Sequence, residues 1–334
     1  MKTIILGIDV SKNTLDIVVM IAGSVVIQDQ IDNSSKCFQR WLKRLIKSQS
    51  IQLSDCMICM EHTGIYCHPV IVGCDELGCF LWVEDAGRIK AFHSLSRGKN
   101  DALDAERIAT YAFLKQSEAK RWEAPRAIIR ELKGLMKLRK RLLDTKQRLS
   151  VPVKEELKMI QDDWSKTHQQ HIRPILNQIK RELKKVEIRI KELIESDSGL
   201  KQTYQLVTSV KGVGMVVGLS MILLTNEFKT ISDPRKMACH CGVAPFPYQS
   251  GKSIKGRTKV SHRAHKPIKA LLNMAARSSV SSPGELREYY ERKVAAGKNK
   301  MLVLNAIRNK LIHRVFACVR DGRKYEEIYT HSLA

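Results

Sequence analysis

The apolar positions in the first hundred residues fall into short continuous runs, separated by stretches with helical spacing. The runs are rich in β-branched residues and predict strands over 3–10, 15–20, 24–28, 56–60 and 79–83. Apolar residues three and four apart predict helices over 35–48 and about 66–77, and a further helix begins at Asp101. Strands that alternate with helices in this way predict an α/β domain with a mixed sheet over residues 1–117.

The pattern changes between residues 118 and 199, where it is helical over two long stretches. The three-and-four spacing is unbroken over 175–194, whereas Arg139 and Lys146 interrupt it over 126–149. Pro152 and Pro174 are expected to punctuate the span. The spacing predicts an arm of two long helices. It fits a hairpin or an intermolecular coiled coil and the core of a plain helical bundle equally well.

Residues 200–334 form the last predicted part, a mostly helical domain. Apolar spacing predicts helices over 215–224, 265–280 and 300–320, and Ser281-Ser-Pro-Gly284 breaks the chain between the last two. Around residue 250, Gly, Ser and basic residues replace this spacing, which predicts a flexible basic loop.

Positive charge is in large excess along the chain. Lys and Arg number 58 against 34 Asp and Glu, a formal net charge of +24, which favours a nucleic acid or an anionic membrane surface as partner. No run of 18 apolar residues predicts a spanning helix, so nucleic acid is the favoured partner. Nine scattered Cys and an N-terminus that resembles a first strand rather than a signal peptide predict a cytoplasmic location.

Four carboxylates lie where predicted strands end or where a predicted helix begins. Asp9 ends the first strand, Glu61 follows the fourth, and Asp101 and Asp104 lie on one face of a helix start. Taken singly, they fit a turn residue, an exposed helix entry and helix caps. Sites in open α/β sheets lie at the carboxyl ends of strands. Together the four therefore predict a site for one or two divalent cations, Mg²⁺ or Mn²⁺, acting on a phosphodiester.

Soft-metal sites are not expected. Cys56-x-x-Cys59 is a lone pair inside a predicted strand, and Cys239-His240-Cys241 lacks a clear second pair. A structural zinc ion takes four ligands, which neither motif supplies.

Two segments of the last domain have the composition of phosphate contacts. Ser209–Gly214 fits a helix-hairpin-helix turn, with Lys211, Gly212 and Gly214 as candidate contacts, although a plain tight turn explains it equally. Between 251 and 270 there are seven Lys or Arg and no Asp or Glu. The candidate contacts there are Gly251, Lys252, Ser253, Lys255, Gly256, Arg257, Lys259 and Arg263. A hydroxyl in such a segment could also act as a nucleophile.

Several motifs resemble one family. Gly7-Ile-Asp-Val-Ser-Lys12, Glu61-His-Thr-Gly64 and Lys99-Asn-Asp-Ala-Leu-Asp-Ala105 are similar to motifs of the DEDD transposases of bacterial insertion sequences, and Piv-type DNA invertases are similar too. Asn100 occupies a position where the family usually has Thr. Gly242-Val-Ala-Pro245, Gln249-Ser-Gly-Lys-Ser253 and the basic Gly256-Arg257 segment resemble the family's C-terminal domain. Only the helical arm is left without a match.

This resemblance implies a RuvC-like N-terminal domain, with a ribonuclease H fold, and an acidic set of Asp9, Glu61, Asp101 and Asp104 that binds Mg²⁺. It also implies a serine nucleophile in the C-terminal domain, which by motif is Ser250, with Ser253 in reserve. The protein would then be a nucleoid-associated DNA recombinase that works through a covalent serine–DNA link. A dimer or tetramer and an element-encoded structured noncoding guide RNA are implied as well.

Two other functions remain open from the sequence. A RuvC-like nuclease would hydrolyse DNA with metal ions alone and use the basic domain only for binding. A scaffold for nucleic acid with a decayed acidic site would bind without cleaving. For each of these three functions the predicted domains are residues 1–117, 118–199 and 200–334.

Overall fold

The computed structural model describes residues 2–93, 101–160, 162–250, 254–260 and 264–327, and describes Asp101, residues 247–250 and four positions in the 254–260 strand by backbone alone. The chain divides into two compact units, Met1–Ala124 and Pro125–Ala334. The two long stretches predicted as helices of the arm, 126–149 and 175–194, thus lie in the second unit, and the predicted division into three remains a prediction. No helix within the described ranges is long and apolar enough to span a membrane.

The first unit is an α/β domain built on one five-stranded sheet. Its strands are β1 (Ile4–Val10), β2 (Thr14–Ile21), β3 (Ser24–Asp32), β4 (Cys56–Glu61) and β5 (Leu81–Glu84). Its helices are α1 (Ser35–Ser48), α2 (His68–Leu77), α3 (Ala86–Phe92) and α4 (Asp101–Leu114). The order is β3-β2-β1-β4-β5, with β1, β2 and β3 antiparallel and β4 and β5 parallel to β1. The predicted mixed sheet is confirmed.

Side chains of each strand alternate between two apolar layers, as a strand period of two requires. On one side, Ile8 of β1 and Met60 of β4 pack with Phe38 and Leu42 of α1. On the other side, Ile5 of β1 belongs to a layer completed by α4. Residues next to Ile8 and Met60 in sequence therefore face α4.

Helix α4 lies directly on β1 because Gly7 has no side chain. A Cβ at position 7 would overlap the Ala105 carbonyl oxygen and the Ala109 amide nitrogen of α4. Further along the helix, the Phe113 ring lies over Gly23, in the turn between β2 and β3 beside the amino end of β1. The helix thus runs antiparallel to β1. Its first turn, with Asp101 and Asp104, lies at the carboxyl end of β1.

The second unit is mostly helical. Its elements are α5 (Ala127–Met159), α6 (Asp163–Ser196), α7 (Ser198–Thr208), α8 (Met215–Leu224), α9 (Pro234–His240), β6 (Pro245–Ser250), β7 (Ile254–Val260), α10 (Lys266–Ser281), α11 (Glu285–Ala295) and α12 (Lys300–Asp321). Helices α5 and α6 pack against each other as a hairpin through buried positions of α6 three and four apart. These positions are Ile179, Leu183, Val186, Ile190 and Leu193.

The residues that interrupt the apolar spacing of the arm lie inside its two long helices. Arg139, which interrupts the apolar spacing of α5, donates from Nε to Glu187 Oε1 of α6 at 2.8 Å, and so links the two helices. The expectation that Pro152 and Pro174 punctuate the arm is wrong, because both lie inside helices. Proline leaves the carbonyl four residues earlier without its helical donor. Those carbonyls belong to the exposed residues Arg148 and Gln170, where water can replace the donor.

The segment predicted as a flexible basic loop instead contains a two-stranded antiparallel hairpin of β6 and β7. Ser250 pairs with Ile254, and Tyr248 pairs with Gly256. Tyr, Phe, Ile and Val at alternating or near-alternating positions favour extended backbone. Pairing between the two strands then outweighs the Gly and Lys content that argues for a loop.

Candidate active site

A row of acidic residues crosses the carboxyl edge of the sheet in the first unit. Asp16 lies opposite Asp9 in the β1–β2 ladder, and Glu61 lies opposite Glu84 in the β4–β5 ladder. Asp9 and Glu61 each come directly after the last pair of the β1–β4 ladder. We call Asp16, Asp9, Glu61 and Glu84 the carboxylate row. All four face the side on which α4 packs, by strand alternation.

The structure therefore brings together two acidic residues that the sequence predicts, Asp9 and Glu61, and two that sequence reasoning missed. Asp16 was overlooked although a lone acidic residue inside an apolar strand is a signal in itself. Glu84 was overlooked because the fifth strand was predicted to end one residue earlier, at Val83.

Glu84 is a buried carboxylate whose two oxygens are both occupied by the protein. Its Oε1 accepts from the Asp85 backbone N–H at 2.8 Å, and its Oε2 accepts from Arg88 Nη1 and from the Tyr111 hydroxyl, each at 3.0 Å. Burial, followed by the hydrogen bond to Glu84, raises the pKa of Tyr111 to about 12. Glu84 thus joins β5 to α3 and α4 and is a structural residue.

Asp16 is equally buried but is satisfied at only one oxygen. Its side chain is 7% exposed, and Oδ1 accepts from Gln30 Nε2 of β3 at 2.8 Å. Oδ2 is buried and has no hydrogen-bond partner within the described residues. A buried oxygen of this kind is costly unless something outside these residues binds it.

Glu61 and Asp104 differ in the hydrogen bonds and ion pairs that their side chains form. No hydrogen bond or ion pair to the Glu61 side chain occurs within the described part of the chain. Gly64, three residues later, has a φ of +86°, which turns the chain into α2. Asp104 Oδ1 accepts from Arg107 Nη1 at 2.8 Å, one turn along α4. Asp101 is the first residue of α4, and its side chain lies outside the described set.

The acidic residues at this edge of the sheet have the ligand chemistry that a hard divalent cation prefers. Carboxylate oxygens are the ligands that Mg²⁺ and Mn²⁺ prefer, and Asp16 Oδ2 is an oxygen in need of a partner. Among the described side chains no group of three His, Cys, Asp or Glu is arranged to hold a metal. The described side chains include those of Asp9, Glu61 and Asp104 but not that of Asp101.

Ser250, the predicted nucleophile, is the last residue of β6, directly before the connection to β7. Its backbone is described and its side chain is not. Four further candidates, Gly251, Lys252, Ser253 and Arg263, lie outside the described residues. Gly256 is exposed on β7, and the side chains of Lys255, Arg257 and Lys259 on that strand are likewise not described.

A buried arginine supports the segment that leads into β6. Arg308 of α12 donates to Asn273 Oδ1 at 2.7 Å and to Asn305 Oδ1 at 3.4 Å, and Asn305 Nδ2 donates to the Val243 carbonyl at 2.8 Å. Burial lowers the pKa of Arg308. The start of the hairpin is thus fixed to two helices through amide groups. Sequence reasoning gave no role to these residues.

The predicted turn at 209–214 is a tight connection between α7 and α8. Gly212 has a φ of +91° and packs against α10, where Ser279 Oγ donates to the Lys211 carbonyl at 3.1 Å. Lys211 Nζ donates to the Pro283 carbonyl and lies 3.8 Å from Glu327, so its charge is partly balanced. Gly214 is the N-cap of α8 and supplies no side-chain cap, so the first N–H groups of α8 have no side-chain acceptor at that position.

Comparison with known proteins identifies relatives among mobile elements. An uncharacterised 44.8 kDa protein of insertion element IS116 from Streptomyces clavuligerus is 24% identical over 137 residues, which are 39% of this chain and 34% of that protein. An uncharacterised 43.6 kDa protein of insertion element IS110 from Streptomyces coelicolor is 27% identical over 120 residues, 36% of this chain and 29% of that protein. The match spans about a third of the length of these relatives.

The pilin gene-inverting protein of Moraxella bovis is similar from end to end, at 22% identity over 326 residues that cover 96% of this chain and 97% of that protein. Two family models also match. The DEDD transposase model of IS110 matches residues 6–161, which include the carboxylate row and α4. The model described as Transposase IS116/IS110/IS902 family matches residues 204–291, which include the β6–β7 hairpin. Since the two models together span most of the chain, it belongs to the DEDD transposases of the IS110/IS116/IS902 family.

Proposed function

We propose that this protein is a DNA transposase or recombinase that cuts and rejoins DNA strands with an acidic, divalent-metal site and a serine nucleophile. The observation that carries the proposal is the position of Asp9 and Glu61. They lie on adjacent parallel strands, on one face, at the edge where α4 begins with Asp101 and Asp104. Mg²⁺ held by these four residues would neutralise charge on the scissile phosphate.

The topology of the first unit supports a RuvC-like, ribonuclease H type of fold. Three antiparallel strands are followed by two strands parallel to the first, in the order β3-β2-β1-β4-β5, with helices on both faces. A carboxylate on the first strand and a helix carrying two more carboxylates across that strand agree with such a domain.

Ser250 is the proposed nucleophile for strand exchange. Its Oγ would lose its proton and form a bond to the phosphorus, while the bond from phosphorus to the deoxyribose oxygen breaks and that oxygen takes up a proton. The phosphoester count is unchanged, so a deoxyribose hydroxyl of another strand can reverse the step and release the serine. Cationic residues close to Ser250 in sequence, Lys252, Lys255 and Arg257, would stabilise the negative charge of the transition state.

The partners proposed follow from charge and from the family. DNA is the substrate, and the net charge of +24 suits it. A structured guide RNA encoded by the element would select the target. Because recombination joins two DNA segments, a dimer or tetramer is proposed, with the α5–α6 hairpin as a coiled-coil contact between subunits.

The test is trapping of a covalent protein–DNA adduct. The full-length protein is incubated with Mg²⁺, labelled element-end DNA and RNA transcribed from the element's flank, then denatured and resolved on a gel. We expect an adduct in the parent, its loss in Ser250→Ala, and its retention in Ser253→Ala. Asp104→Asn should abolish cleavage while DNA binding persists.

Three results would change the proposal in defined ways. Loss of the adduct only in Ser253→Ala would move the nucleophile by three residues. Cleaved DNA without an adduct would replace the recombinase with a metal-dependent nuclease. Cleavage by Asp104→Asn at the parent's rate would remove the acidic site from the mechanism.

A further inference from the structure

Asp16 has a charge that the described protein leaves uncompensated. It lies inside β2, between Leu15 and Ile17, and is 7% exposed. Its neighbour Gln30 is neutral, and no ion pair to Asp16 occurs among the described residues. An ionised carboxylate in such surroundings is costly unless a cation or a proton accompanies it.

The position of Asp16 indicates where such a cation would lie. Asp16 and Asp9 are directly opposite in an antiparallel ladder, where Cβ atoms are about 4.5–5.5 Å apart and side chains share a face. Two like charges at this separation repel each other. A divalent cation between them would cancel the repulsion and would give Asp16 Oδ2 the partner that it lacks.

Gln30 holds Asp16 in an orientation that suits this role. Its Nε2 donates to Oδ1, so the second oxygen is left for another ligand. Gln30 lies opposite Asp16 in the β2–β3 ladder, and its side chain is therefore on the same face. In metal sites, hydrogen bonds of this kind fix the orientation of a coordinating carboxylate.

We infer that Asp16 is a fifth carboxylate of the acidic site and shares a divalent cation with Asp9, with Gln30 as its positioning residue. The inference rests on the proposed function, since it needs a metal at this edge of the sheet. It adds a ligand from β2 to the four residues on β1, β4 and α4. The cation class is hard and divalent, Mg²⁺ or Mn²⁺, because every donor is an oxygen.

The experiment measures binding of Mn²⁺ alone to the full-length protein, by the loss of the free Mn²⁺ signal in electron paramagnetic resonance. Asp16→Asn should weaken the tightest site about tenfold, because one anionic ligand becomes neutral at nearly constant shape. Gln30→Leu, which keeps the charge of Asp16 but frees its orientation, should weaken it severalfold. Asp29→Asn is the matched control, since Asp29 lies on β3 on the opposite face and bonds to Trp41.

Asp9→Asn separates this inference from the proposed function. If Asp9→Asn removes the tightest Mn²⁺ site and Asp16→Asn binds within twofold of the parent, the role of Asp16 is wrong and the acidic site stands. If neither change alters Mn²⁺ binding, the metal site itself is wrong. A melting temperature of Asp16→Asn in metal-free buffer that equals or exceeds that of the parent would show that the variant is folded. If the melting temperature of Asp16→Asn is lower than that of the parent, Gln30→Leu is the deciding variant. Unchanged Mn²⁺ binding by Gln30→Leu would then overturn the inference.

Discussion

Glu84 and Asp16 lie at opposite ends of the carboxylate row, and both are more than nine-tenths buried. The protein fills both oxygens of Glu84, with a backbone N–H, a guanidinium and a tyrosine hydroxyl. It fills one oxygen of Asp16, with an amide, and within the described residues the other has no partner. Two carboxylates on the same face thus have different surroundings, one fully bonded by the protein and one only in part.

If the inference about Asp16 holds, the difference divides this sheet edge between a structural end and a metal-binding end. The β5 end fixes α3 and α4 to the sheet, because Arg88 and Tyr111 both bond to Glu84. At the β2 end, Asp16 lies opposite Asp9 and its Oδ2 has no partner among the described residues. Burial alone therefore does not distinguish the two carboxylates, whereas their hydrogen-bond partners do.

Gly7→Ala should have the largest effect, because it disturbs the helix that both ends depend on. The added Cβ would overlap the backbone of Ala105 and Ala109, so α4 must move away from β1. We expect a loss of about 3 kcal/mol in the free energy of unfolding, at the upper end for overpacking. Urea denaturation followed by tryptophan fluorescence measures it, and a Trp164→Phe background leaves the three tryptophans of the first unit as reporters.

Gly78→Ala is the control for Gly7→Ala, since position 78 has open space around it although its φ of +70° favours glycine. A loss of stability in Gly7→Ala no greater than that in Gly78→Ala would contradict the close approach of α4.

Replacing Glu84 and Asp16 by the corresponding amides should show directly that the two carboxylates contribute differently to stability. Glu84→Gln places an NH₂ group against Arg88 and Tyr111, which are donors themselves, and should cost about 2 kcal/mol. The half-exposed Arg88 can turn to solvent, which limits the loss. Asp16→Asn can keep the hydrogen bond from Gln30 and removes a buried charge, so it should not lower the free energy of unfolding in metal-free buffer. Equal losses in the two variants, by the same urea titration, would erase the distinction.

Much of the fold could be predicted from the sequence. Helix α1 begins and ends where its apolar spacing predicts, and β1, β2 and β4 agree within one or two residues, because burial on one or both faces imposes a local period. The sequence predicts a loop where β6 and β7 form a hairpin, because pairing between strands is not a local property and Lys and Gly dominate the composition. The two prolines of the arm were misjudged for a similar reason, since exposure decides whether water can replace a lost donor.

The candidate site was predictable in part. Asp9 lies next to last in β1 and Glu61 lies last in β4, so the sequence alone indicates a shared edge, and Asp104 follows from helix spacing. Asp16 lies near the start of a strand rather than near its end. Only the antiparallel register, which no local pattern specifies, places it opposite Asp9. The role of Ser250 stays a prediction from motif.

Of the substitutions expected to destabilise the protein, Tyr111→Phe should cost the least, and its cost should depend on pH. Near neutral pH we expect a loss of about 1 kcal/mol, the usual net value of one hydrogen bond. The pKa of Tyr111 is raised from 10 to about 12 by burial and by Glu84, so the unfolded chain releases this proton first. The free energy of unfolding contributed by Tyr111 is therefore complete below pH 10 and is lost as the pH rises towards 12. The difference in free energy of unfolding between parent and Tyr111→Phe should then shrink over that interval.

Urea titrations at pH 8, 10 and 11 would measure this difference, with Tyr66→Phe as the partly exposed control. A difference that stays constant with pH would mean that the Tyr111 hydroxyl does not depend on Glu84, and the β5 end of the row would then be held by Arg88 and the Asp85 N–H alone.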